Sequence, residues 1–440
     1  MFPVTSASSS EPAKLAVQQK TRQAFYWFGP AFVASIAYID PGNFGTNLIA
    51  GTGFGYKLLW VLLWSNLMAI LIQYLSAKLG IATGATLPQN CREHFSRRTA
   101  IMLWLAAELS ALATDLAEFL GAALGFYLLF GSYFLRLGLS QTTVMFMAAL
   151  VSAVCVFAIL ALELRGFRSL ELGIMVFVLV IGVCYLVEIF LVHPDWRQIV
   201  YHTAVPWLNR GSIYAAVSML GATVMPHVVY LHSGLVQPRL ATEDRAAQHS
   251  GADRLQSRLR HLRFETLDVF AAMNGAWLVN SAMVIVAAAA FAGTGRVDMT
   301  IEDAHRTLGP LLGPASATIF AIALLASGLS SSTVGTLAGQ MILEGFLQVR
   351  FSIFLRRLLT LLPALVVIGV GLDPLRILVL SQVVLSFTLP FALVPLLILC
   401  GRRSLMGTFT NGKVTNFLGW LTAGLIVALN IVLLGLSVRS

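Results

Sequence analysis

The chain has 440 residues, of which 58% are hydrophobic and only 11% charged, with a mean hydropathy of +0.81. That balance excludes an ordinary water-soluble domain and implies a polytopic, all-α membrane protein. The net charge of +9 needs no nucleic-acid partner, because the basic residues gather in loops on one side, where anionic lipid headgroups of the bilayer would meet them.

Residues 1–23 are polar and rich in Ser, Ala and Gln, without the apolar core of a secretory signal, and read as a disordered cytoplasmic tail. Eleven apolar stretches follow, at roughly 24–50, 56–80, 101–130, 141–162, 170–192, 212–236, 265–293, 313–345, 353–371, 374–400 and 415–437. The excess of Lys and Arg in alternate loops predicts a cytoplasmic N-terminus and an external C-terminus. Only the Arg-rich loop 238–264 looks long, and no soluble enzyme domain fits between the spans, so no enzyme is expected. Cys91, Cys155, Cys184 and Cys400 are scattered, lack C-x-x-C spacing and read as packing residues.

The first span contains "IDPGNFGTN", Ile39 to Asn47. Pro41 removes a backbone donor and pushes Asp40 out of helical geometry, so the span is predicted as two half-helices, 24–38 and 44–52. A carboxylate at the bilayer centre costs about 2.5–3.5 kcal/mol on insertion scales, so Asp40 should face a partner instead of lipid. Asn43 adds an amide oxygen beside it, and unwinding frees carbonyls; these are hard donors suited to a divalent cation. An Asp before Pro-Gly is otherwise a common turn residue, but apolar sequence on both sides argues against a loop here.

The third span carries "AELSALATDLAEFLG", placing Glu108, Asp115 and Glu118 at spacings of seven and three, on one helical face. Such a stripe should point into the bundle and could relay protons; a static ion-pair network is the alternative. Arg356 and Arg357, at the start of the ninth span, are candidate counter-charges.

The sixth span is interrupted in "LGATVMPHVVYLHS", where Gly221, Thr223 and Pro226 fall near its middle. The two breaks open successive five-helix sets, 24–192 and 212–400, with 415–437 as an additional helix. Paired interruptions of this kind point to a midplane binding site between inverted repeats. Met225, at the second break, contributes a thioether; with carboxylate, amide and backbone oxygens it describes a transition-metal site, although a lone Met in a membrane helix is usually packing. His227 lies close to that site. His232 points elsewhere and is assigned a structural or gating role. Gly45 and Gly221 are candidate hinges. No H-E-x-x-H spacing suggests a metalloprotease.

"DPGNFGTN" and "MPHVVYLHS", together with "ATDLAEFLGAALG" and "LLASGLSSSTVGTLAGQ", resemble the signature segments of the Nramp family (natural resistance-associated macrophage proteins), proton-coupled importers of divalent transition metals. The resemblance covers the chain from about residue 24. It implies a LeuT-type fold of eleven helices with helices 1 and 6 unwound, no cofactor, and a transported Mn²⁺ or Fe²⁺, with Cd²⁺ and Co²⁺ also carried. It further implies metal ligation by Asp40, Asn43 and Met225 side chains and the carbonyls of Ala37 and Ala222, with Gln382 joining in some conformations. Proton exit through Asp115 and its neighbours, function as a monomer and residence in the inner (plasma) membrane are expected. The chain departs from the family pattern at Val228, where many members have Asn. Met225 favours manganese or iron over the magnesium-transporting branch. A sodium- or proton-coupled amino-acid carrier on the same fold is the competing reading, and a membrane scaffold without transport is a third.

Overall fold

A computed structural model describes residues 29–162, 167–246, 251–292, 300–349 and 352–437; the expected tail at 1–23 lies outside them. Among the described residues the elements are helices: α1 (Pro30–Ala37), α2 (Pro41–Phe54), α3 (Leu59–Thr83), α4 (Leu87–His94), α5 (Arg97–Arg136), α6 (Gln141–Leu160), α7 (Phe167–Val192) and α8 (Trp196–Ala204). The second part of the chain forms α9 (Ile213–Thr223), α10 (Pro226–Leu235), α11 (Gln237–Ala246), α12 (Gly251–Phe291), α13 (Ile301–Leu312), α14 (Pro314–Leu347), α15 (Ile353–Val370), α16 (Pro374–Gly401) and α17 (Lys413–Ser437).

Nine stretches among the described residues are long and apolar enough to cross a bilayer. The first of them, Pro41–Thr83, runs through both α2 and α3, and α15, which carries Arg356 and Arg357, is not one of the nine. Their surfaces read as lipid-facing. On α7 the exposed residues Leu172, Val176, Leu179, Val183, Leu186 and Phe190 recur every three or four positions, an apolar stripe that water would not tolerate. The opposite stripe, Leu170, Ile174, Ile181 and Tyr185, is buried in the bundle. The sixth-span pair α9–α10 is instead enclosed almost completely by protein.

Both expected interruptions are present, and the first is shorter than the sequence suggests. Pro41 and Pro226 are the first residues of α2 and α10, so only Tyr38–Asp40 and Val224–Met225 leave the helical path. Proline suits this first helical position because its missing N–H would have no intrahelical acceptor there. The residue before each proline is extended, Asp40 at φ −76°, ψ 168° and Met225 at φ −89°, ψ 122°, as the proline ring demands.

The segments read as loops hold more helix than expected. Capped helices α8 and α13 lie between spans, and α12 begins at Gly251, well before the expected 265, so the Arg-rich segment is largely helical where it is described. Apolarity marks where a chain can enter lipid; hydrogen bonding carries a helix past that limit.

The long α5 and α14 form the most extensive helix pair, and small residues let their backbones touch. A Cβ on Gly125 would lie 2.7 Å from Leu325 Cα, and one on Gly328 would lie 2.5 Å from the Ala122 amide nitrogen. Close approach of this kind replaces the hydrophobic drive that is absent between helices in lipid. Gly328, Gly335 and Gly339 recur at spacings that keep them on one face of α14, toward α5 and α15. Gly121 of α5 abuts the ring of Pro41, which sets the first break directly against the third span. Gly328→Ala should therefore force α5 and α14 apart and cost about 1–3 kcal/mol, read as a lower midpoint of thermal unfolding in detergent, whereas Gly424→Ala, in open space on α17, should leave it unchanged.

Candidate metal centre

Proline chemistry builds the site. In a continuous helix the carbonyl of residue i accepts from the N–H of i+4; proline has none, so Pro41 deprives Ala37 and Pro226 deprives Ala222 of that donor. The two breaks thus present the same pattern, an alanine carbonyl followed three residues later by a side chain poised before proline: Asp40 in one, Met225 in the other. Inside a membrane such carbonyls need another partner.

Asn43 supplies it for Ala222. Its Nδ2 donates to the Ala222 carbonyl at 3.0 Å and to Asp40 Oδ1 at 2.7 Å, joining breaks 179 residues apart in sequence. Asp40 Oδ1 also accepts from the Asn43 backbone N–H at 2.8 Å, which caps α2. Asp40, Asn43, Met225, Ala37 and Ala222 are all fully buried. Asp40 Oδ2, Asn43 Oδ1 and Gln382 Oε1 are buried without a hydrogen-bond partner. Gln382 of α16 reaches the same place: a Cβ on Gly42 would collide with its amide and lie 2.9 Å from Asp40 Oδ2. Three unsatisfied oxygens at one buried crossing are costly unless a ligand completes them.

The neighbouring carbonyls are already used. Tyr38 O accepts from Asn280 Nδ2 at 2.5 Å, and Ile39 O accepts from Ser327 Oγ at 2.5 Å, so α12 and α14 fix the first break from behind.

The third-span stripe faces inward as expected. Arg356 Nη2 donates to Glu108 Oε1 at 2.7 Å, Arg357 Nη1 donates to Asp115 Oδ1 at 3.0 Å, and Arg357 Nη2 donates to the Ser332 hydroxyl. Glu118, one turn further along α5, is fully buried and forms no ion pair among the described residues. Gly335 makes room for it, since a Cβ there would meet both the Glu118 and Asp115 carboxylates. The stripe therefore runs from a half-buried Glu108 through Asp115 to Glu118, next to the Gly121–Pro41 contact. His227 joins the same wall: its Nδ1 lies 3.1 Å from the Thr114 hydroxyl, and its Nε2 is buried without a partner.

His232 sits in a separate network. Its Nδ1 is 2.8 Å from Gln73 Oε1 and its Nε2 is 2.8 Å from Glu265 Oε1, while Gln73 Nε2 donates to the Tyr38 hydroxyl at 2.6 Å. Gln73, Glu265, Tyr38, Thr114, Ser332 and Asn280 were not singled out by sequence; Gln73 is a lone polar residue in an apolar run, which is the available signal, whereas Thr114 adjoins Asp115, Ser332 lies in a Ser-Ser-Ser-Thr run and Glu265 follows the Arg-rich segment. Glu188 of α7 escaped notice in the same way. It is buried among Phe44, Tyr185 and Phe320, and neither of its oxygens has a hydrogen-bond partner. Of the candidate hinges, Gly45 packs against Leu375 and Leu378, and Gly221 presses on the backbone carbonyl of Gln382, leaving no space for a side chain.

This arrangement, half-helices meeting around buried polar atoms at the centre of a helical bundle, defines a multi-pass membrane transporter of LeuT type. A family model described as natural resistance-associated macrophage protein-like (Nramp) matches residues 31–436. The chain belongs to the Nramp family. It is 49% identical over 423 residues to a divalent metal cation transporter of Clostridium acetobutylicum, covering 96% of this chain and 93% of that one. A solved structure of the Eremococcus coleocola manganese transporter, bound to an aromatic bis-isothiourea compound, superposes with a TM-score of 0.81 at 30% identity, covering 98% of this chain and 88% of that one. The structure of MhsT in complex with L-phenylalanine shares the fold at a TM-score of 0.57 and 14% identity, covering 93% of this chain and 97% of that one.

Two outcomes follow from the geometry. Gly221→Ala should lower the thermal midpoint, because its Cβ would strike the Gln382 carbonyl; a pure hinge would slow transport at unchanged stability. Arg357→Gln leaves the buried Asp115 charge unpaired and should cost about 3–5 kcal/mol, with Arg357→Gln/Asp115→Asn recovering much of that loss in the same thermal assay.

Proposed function

We propose that this protein is a proton-coupled importer (symporter) of divalent transition-metal ions, Mn²⁺ and Fe²⁺ foremost with Cd²⁺ and Co²⁺ also accepted, working by alternating access as a monomer in the inner (plasma) membrane. The chain crosses eleven times, N-terminus inside and C-terminus outside, with 24–192 and 212–400 as inverted repeats and 415–437 as an added helix. The relatives, a divalent metal cation transporter and a manganese transporter, support the substrate class.

The observation that carries the reading is the junction of the two breaks through Asn43, with unsatisfied oxygens on Asp40, Asn43 and Gln382 at that junction. In this arrangement the partly positive hydrogens of one amide lie between the Asp40 carboxylate and the Ala222 carbonyl. A cation would take over that role once the amide turns its oxygen inward. Asp40, Asn43 and Met225 side chains, the carbonyls of Ala37 and Ala222 and, on closure, Gln382 would then hold the ion. Met225 contributes the soft donor that disfavours Mg²⁺ and Ca²⁺. An amino-acid carrier would leave a thioether at that position without purpose.

Metal binding needs an ionised Asp40, so arrival of M²⁺ releases a proton, and the added charge weakens the hold of nearby groups on theirs. Glu118, Asp115 and Glu108, balanced by Arg356 and Arg357, carry the proton toward the cytoplasm, and His227 bonded to Thr114 links the metal site to that wall. His232, bonded to Gln73 and Glu265, serves as a gate on the other side of the first break, while Gly45 and Gly221 sit where the half-helices tilt against α16.

Proteoliposomes with an inward proton gradient test this directly. Mn²⁺ uptake should acidify the lumen, and uptake without proton movement would remove the coupling. Asp40→Ala should abolish uptake. Met225→Ala should retain part of the Mn²⁺ flux while admitting Mg²⁺ and Ca²⁺; unchanged selectivity would leave the sulfur a packing group. Asp115→Asn should still bind metal with weakened proton movement.

A further inference from the structure

We propose that a cavity at one end of α5 is a binding site for the headgroup of an anionic phospholipid. The cavity measures about 450 Å³ and is lined by Arg92 of α4, Arg97, Ala100 and Ile101 of α5, and Phe346, Leu347 and Gln348 at the end of α14. Its charge and its walls differ in kind. Arg92 is half-buried and anchored, its Nη1 donating to the Gly345 carbonyl at 2.6 Å. Arg97 is exposed and has no carboxylate partner among the described residues. Ser96 caps α5, accepting from the Thr99 N–H at 3.2 Å, so the first free N–H groups of a long helix add to the positive potential at the same point.

The remaining walls are apolar. Ile101 and Leu347 are both exposed, and the strip continues along α5 through Leu105, Leu109 and Leu112, about one helical turn apart each time. A basic mouth with an apolar strip running down the membrane-facing helix matches a phosphate headgroup with its acyl chains, and it does not match a soluble anion, which would have no use for the strip. The surrounding charge agrees: Arg98 adjoins Arg97, and Arg402 lies over the Phe95 ring at 5.5 Å. The nearby carboxylates are already engaged, Glu93 with Arg92 at 3.6 Å and Glu344 with the Gln340 amide at 2.6 Å, and neither lines the cavity. A headgroup held here ties the end of α4–α5 to the end of α14, the two helices whose contact surrounds the acidic stripe.

The test is native mass spectrometry of the purified full chain with phosphatidylglycerol or phosphatidylcholine added in graded amounts. Phosphatidylglycerol should remain bound in preference to phosphatidylcholine, and each of Arg92→Gln and Arg97→Gln should weaken it about fivefold, following the usual contribution of one basic residue beside anionic lipid. Arg97→Gln is the decisive variant, since its side chain holds no other part of the fold. Equal retention of the two lipids, unchanged retention in Arg97→Gln, or displacement by millimolar inorganic phosphate would overturn the proposal. Mn²⁺ affinity measured on the same samples should be unaffected, so this result stands apart from that of the transport assays.

Discussion

A backbone carbonyl buried in a bilayer cannot turn to water, and a proline four residues downstream removes its only helical donor. The structure turns on that constraint, applied twice. Pro41 and Pro226 strip Ala37 and Ala222 of their partners at the centre of two spans, and the chain must bring something polar to each. What it brings to Ala222 is the other break: Asn43 reaches that carbonyl, and Asp40 holds Asn43. Satisfying the Ala222 carbonyl and joining the two breaks are therefore one act of packing.

The cost of keeping charge in this interior explains the rest. Asp115 and Glu108 each find an arginine on α15, and the glycines of α14 give up side chains to make space for those groups. Glu118 has room but no basic partner among the described residues, which leaves it the member of the stripe whose charge is least compensated. Buried pairs of this sort add little net stability, since desolvation offsets attraction, but removing one partner is expensive. In the proposed reading, their arrangement in a row beside the first break serves proton movement. A scaffold could have filled the same volume with leucine.

Much of this was legible in the sequence. Asp-Pro and Met-Pro inside apolar runs announced the breaks, because proline acts locally and no tertiary context can restore its missing N–H. Spacings of seven and three placed Glu108, Asp115 and Glu118 on one face, and the Arg356–Arg357 pair was the nearest available counter-charge. The length of the first break was overestimated: proline is a good first residue of a helix, so winding resumes at Pro41 itself. The loop helices α8 and α13 and the early start of α12 were missed because hydropathy measures lipid tolerance, whereas helix ends follow caps such as Asp195 and Thr300. Polar residues such as Gln73, Thr114 and Ser327 gave no sign of their partners, since that pairing depends on which helices meet.

The central claim is that the two breaks form one cage of mixed hard and soft donors. X-ray absorption on the Mn²⁺- or Cd²⁺-loaded protein reads the donor atoms directly. The account predicts a shell of oxygens with a single sulfur, and loss of that sulfur alone in Met225→Ala. A shell of oxygens only in the unaltered protein, or a sulfur signal that survives Met225→Ala, would contradict it.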